Sequence, residues 1–161
     1  MSLAARGLVL CAVQVGLVLS LGGKLLLDRE TLPRVWAHAA PFDPNLPIRG
    51  RYVRLRVEAH FAEQTLPLYR EVTLRAENSR LVAYAATEDS SVTIAEVSGM
   101  GRAWIAPAVA FFIPEHVPDP SRRALGEELW VEVTVPKQGP PRPIRLGVKR
   151  EGGEIVPLSL D

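Results

Sequence analysis

Residues 7–23, GLVLCAVQVGLVLSLGG, carry no charge, and only Gln14 and Ser20 interrupt the run with polar side chains. After Lys24, three leucines extend it to Leu27. At 1.5 Å per residue, a helix over 7–27 is about 31 Å long, close to the hydrocarbon thickness of a bilayer. In lipid every backbone N–H and C=O must pair within the segment, so the pattern predicts a transmembrane helix, with Lys24 reaching toward the interface. A soluble core helix would show a polar face, and this run has none.

Beyond it the period changes from helical to two. In RYVRLRVEAHF, Val53, Leu55, Val57, Ala59 and Phe61 alternate with Arg54, Arg56, Glu58 and His60, which is the pattern of a half-buried strand. The same alternation recurs around Val72–Ala76, Leu81–Ala85, Val92–Ile94, Leu129–Val135, Ile144–Val148 and from Ile155. Gly- and Pro-containing stretches at 126–128, 137–143 and 150–154 separate these runs, the last reading as a hairpin joint. The Ala- and Leu-rich stretch 70–89 has some helical character, but its β-branched residues favour strand. The expected fold is mainly β: one N-terminal transmembrane helix followed by a small β-rich domain, sandwich or barrel-like. The expected organisation is a cytoplasmic head at 1–6, the helix at 7–27, a stalk at 28–40 with Trp36 at headgroup level, and an extracytoplasmic domain at 41–161.

Charge and composition narrow the function. The chain of 161 residues has 19 Lys+Arg against 18 Asp+Glu, and the stretch 41–161 is also near neutral, so no net field favours nucleic acid. The lone cysteine, Cys11, excludes an internal disulfide and a multi-thiolate metal site. A short head carrying Arg6 is the usual form of a signal-anchor, which places the N-terminus in the cytoplasm and the rest outside. Signal cleavage lacks a small-residue site at the end of the apolar run, since the nearest such pattern is Ala37-His38-Ala39, beyond Asp28, Arg29, Glu30 and Arg34. Leu10 is too bulky for a lipoprotein box ending at Cys11.

The stretch PFDPNLPIRGRYVRL sets Pro41, Asp43, Pro44 and Pro47 before Gly50 and a strand, fixing the path by which the chain enters that strand. It resembles the signature of the GDYXXLXY family through Pro41, Asp43, Pro44, Arg49, Gly50, Tyr52 and Leu55. Arg51 stands where the family name has Asp, and Val57 where it has the last Tyr. AFFIPEHV at 110–117 is similar to a second, Pro-Glu segment of that family, with Phe112, Pro114 and Glu115 as counterparts. The resemblance implies a membrane-anchored extracytoplasmic domain of unassigned function, often accompanying a multi-spanning membrane protein, and implies no reaction.

Candidate chemistry is sparse. Asp43 and Glu115 are carboxylates in Pro-bounded loops that a hydrolase acting on glycan or peptide would use as general acid and base. The structural alternative pairs Asp43 with Arg49 or Arg51 and lets Glu115 accept backbone hydrogen bonds. His38, His60 and His116 lack metal-ligand spacing, so no metal and no cofactor are expected. Ser90 and Ser91 read as a turn, and no serine sits just beyond the anchor where a membrane peptidase would need one. Arg49, Arg51, Arg54 and Arg56 form a dense cationic run, suited to anionic headgroups or to carboxylates on a strand face. The resulting expectation is a single-pass protein of the bacterial inner membrane, in contact with the bilayer through 7–27. Its external domain is an interaction or structural module for a polytopic membrane protein, and the alternative is an envelope hydrolase.

Overall fold

The computed structural model describes residues 3–42, 52–62, 70–86 and 92–160. It divides into two compact units, Met1–Leu32 and Pro33–Asp161. The first is a single α-helix, α1, Leu3–Thr31, whose 29 residues span about 43 Å. It is apolar enough to cross a membrane, and Leu8, Val13, Leu17, Val18, Leu21 and Leu26 are all exposed around it. The hydroxyl of Ser20 donates to Leu17 O at 2.9 Å, so the polar group inside the run is satisfied within the helix, as lipid requires. Helical geometry continues past Leu27 through Asp28, Arg29 and Glu30, residues expected to begin a stalk.

The second unit is an antiparallel-dominated sheet, not a closed barrel. Its strands are β1 Arg34–Pro41, β2 Tyr52–Phe61, β3 Val72–Glu77, β4 Arg80–Ala85, β5 Thr93–Gly99, β6 Arg102–Phe112, β7 Glu127–Thr134, β8 Arg142–Arg150 and β9 Ile155–Pro157. Hydrogen bonding runs β3-β4-β2-β1-β7-β8-β9, with β6 on β2 and β5 on β6. Strand β2 is the junction. Antiparallel β6 pairs with it from Tyr52 to His60, while β1 (Ala39 opposite Val57) and then parallel β4 (His60 opposite Val82) also pair with it. A bridge between Glu71 and Thr93 brings β3 back to β5.

The alternation seen in the sequence selects the core. Val35, Ala37 and Ala39 of β1, Leu55 and Val57 of β2, Leu81 and Ala83 of β4, Ile105 of β6, Val131 and Val133 of β7 and Leu146 of β8 are all buried. Their neighbours in each strand point to the opposite face.

One expectation about organisation is corrected. Residues 34–40, expected inside a stalk at 28–40, belong to β1, which pairs with β7 over 34–39 and with β2 over 39–41. The physical reason is that Val35, Ala37 and Ala39 repeat at period two, and the small alanines fill tight core positions while Trp36 and His38 take the other face. The stretch 70–89, expected as strand with helical leanings, folds as the β3–β4 hairpin as far as it is described. Its tight turn is Asn78-Ser79, both left-handed at φ 49° and 59°, the geometry of a two-residue type I′ turn. The 150–154 stretch turns β8 into β9 as expected, with Gly152 at φ 71°.

Candidate functional site

The face of the sheet opposite the core carries all three tryptophans of the chain: Trp36 on β1, Trp104 on β6 and Trp130 on β7. Register sets them beside charged residues in two rows across the strands. In the first row Trp104 lies opposite both Glu96 and Glu58, and His38 opposite Trp130. The His38 ring stands 5.4 Å from the Trp104 ring and 5.8 Å from the Trp130 ring, so the three rings form one aromatic row. In the second row Trp36 lies opposite Glu132, which lies opposite Arg145.

Both carboxylates, Glu58 and Glu132, are sunk and hydrogen-bonded. Glu58, 6% exposed, accepts from the Ser98 hydroxyl through one oxygen and from Arg102 Nη1 at 3.4 Å through the other, and His38 Nδ1 lies 3.3 Å from that second oxygen. Glu132, 8% exposed, accepts from Arg145 Nε at 2.6 Å, and the same guanidinium lies 5.4 Å over the Trp36 ring. A buried carboxylate without such partners would carry a large desolvation cost. Cations continue the stacking along the face: Arg56 lies over Trp104 and Phe42, Arg54 over Phe42, and Lys149 over Trp130.

A groove of about 660 Å³ opens on this face. His38, Glu58, His60 and Trp130 lie along it, the β3–β4 turn lines it with Ser79 and Arg80, and the β8–β9 hairpin lines it with Lys149 and Ile155. His60 Nδ1 is buried without a hydrogen-bond partner. Although two histidines and two glutamates share the groove, no group of three His, Cys, Asp or Glu among the described residues is placed to hold a metal ion.

The residues singled out from sequence fall at the other end of β2. Tyr52 and Phe112 are register partners with rings 5.9 Å apart, so the strand-entry motif and the Pro-Glu segment meet where β2 starts and β6 ends. Pro41 closes β1 opposite Leu55, which is fully buried. Pro114 and Glu115 follow β6 on an exposed turn, with Val117 N donating to Pro114 O. Asp43, Pro44, Arg49, Gly50 and Arg51 lie outside the described residues, as do Ser90 and Ser91, so the described structure contains one member of the Asp43–Glu115 pair. Arg54 and Arg56 project on the aromatic face, where Arg56 Nη1 donates to Glu96 at 2.7 Å.

The alternation in the sequence sets Glu58 and His60 on a wet strand face but does not gather Trp36, His38, Trp104, Trp130 or Glu132 around it. The available signal was tryptophan in the polar phase of an alternating strand, as in RVWAHAA and EELWVEV. The chain matches no family model, no curated protein and no solved structure. The resemblance to the GDYXXLXY family therefore rests on its motif residues.

Proposed function

We propose that this chain is a single-pass protein of a bacterial inner membrane, its N-terminus cytoplasmic and its sheet domain extracytoplasmic, and that the domain is an interaction or structural module for a polytopic membrane protein. The observation that carries the reading is the state of the carboxylates on the aromatic face. Glu58 and Glu132 are buried and each is paired with an arginine, an arrangement that favours a fixed surface over acid–base chemistry. Tryptophan, tyrosine and arginine together are the side chains most enriched where proteins bind one another.

Support for permanent anchoring comes from both units. Helix α1 offers apolar side chains on all sides, and the small-residue pattern Ala37-His38-Ala39 lies within β1, so cleavage there would remove a strand paired to β7.

Affinity capture of the full chain in mild detergent tests the module. A polytopic membrane protein is expected to copurify, and to be lost from a Trp104→Ala/Trp130→Ala variant that still pellets with membranes. Repeated recovery of the chain alone would contradict the reading.

A further inference from the structure

We infer that the groove on the tryptophan face is a binding site for a small ring-shaped oxyanion, a sugar-sized compound bearing a carboxylate or a phosphate. The groove shares Trp130 with the partner surface proposed above, but its ligand requires neither the tether nor a bound partner. Of the lining's two carboxylates, Glu58 is taken up by Ser98, Arg102 and His38, while Glu128 accepts the indole N–H of Trp130 at 3.2 Å and stands opposite Lys149 in the β7–β8 register, so three cations face two carboxylates and one positive charge is left over. What remains is a surplus of donors carried by three separate hairpins. Arg80 stands beside the β3–β4 turn, exposed and without an ion pair among the described residues; Arg102 begins β6 and uses one nitrogen on Glu58; Lys149 sits near the β8–β9 turn and lies over Trp130.

Three cations held by different hairpins around one groove select an acceptor-rich, negatively charged ligand, because each then gains a charge-assisted hydrogen bond. The rest of the lining sets its size and shape. A volume of about 660 Å³ is far larger than a lone phosphate or carboxylate requires and lies in the range of small-molecule sites. Trp36, Trp130 and Ile155 give it apolar walls against which the C–H face of a sugar ring can lie. Rigid placement favours the same conclusion, since Gly147 lets the Trp36 ring pack directly on the β8 backbone.

The test uses the full chain in nanodiscs of zwitterionic phosphatidylcholine, with tryptophan fluorescence as the readout and three probes sharing one ring: glucuronate, glucose 6-phosphate and glucose. At least one of the two anions is expected to bind about tenfold or more tighter than glucose, with affinity falling as salt rises. Preference for glucuronate assigns a carboxylate and preference for glucose 6-phosphate a phosphate; either supports the site. Arg80→Gln and Lys149→Gln are each expected to weaken that binding several-fold, while Arg122→Gln, an exposed arginine outside the lining, leaves it unchanged. The inference is overturned if neither anion shifts the fluorescence, if glucose binds as well as both, or if Arg80→Gln and Lys149→Gln bind like the parent chain.

Discussion

A Cβ added at Gly147 would stand 2.8 Å from both the Trp36 ring and Ile155, closer than real contacts allow. Gly147→Ala is therefore expected to displace the indole and to cost about 1–3 kcal/mol, read as a lower denaturant midpoint with the helix unaffected. Glu58 raises a different issue, because its partners differ in exposure. Glu58→Ala leaves His38 and Arg102 facing a void and is expected to cost about 2–3 kcal/mol. Arg102→Ala, removing a guanidinium that is 48% exposed, should cost under about 1 kcal/mol in the same unfolding experiment. Tyr84 gives the pH prediction. Its hydroxyl donates to Glu77 Oε2 at 2.6 Å, and that bond, with lesser help from burial and the negative charge of Glu77 and against the opposing pull of Arg75, holds the phenol above its usual value of 10.0. A raised folded-state value means that this bond supports folding below about pH 10 and that the support is lost as pH rises through the raised value. The phenolate absorbance of Tyr84 should accordingly appear above pH 10, and should move down in Glu77→Gln.

At the scale of elements, α1 follows from composition alone, since a run without a polar face has one stable environment. Leu17→Lys, a charge near its middle, is expected to disfavour insertion by about 3 kcal/mol and to shift the chain from membrane to aqueous fractions. The strands of the core were equally legible wherever large aliphatics alternate with charges, as in β2 and β7. Strand β1 was not, for a physical reason: its buried positions after Val35 are alanines, and a tryptophan next to a membrane segment reads as an interfacial anchor. The β3–β4 turn was hidden as well, because Asn78-Ser79 reaches left-handed geometry without glycine. The aromatic site needed the register. Trp36, Glu58, Trp104 and Trp130 lie on four strands, and only the pairing of β1 with β2 and β7, and of β2 with β6, places them side by side.

For the whole molecule, the described structure joins an apolar helix to a sheet with one finished core and one aromatic, cation-stacked face, and the proposed function assigns location to the first and contact to the second. The resemblance-bearing residues and the tryptophan face occupy different parts of β2: Tyr52 and Phe112 lie at its start, Glu58 and His60 toward its end. Phe112, 71% exposed, is on the proposed function a candidate second contact point; Phe112→Ser should leave the unfolding midpoint within about 0.5 kcal/mol of the parent while weakening partner capture. Everything rests on α1 remaining attached and embedded. The most direct measurement is alkaline carbonate extraction of membranes followed by the intact mass of the protein recovered. The account predicts a pelleted chain whose mass includes residues 7–31; a soluble chain beginning after Ala39 would contradict it.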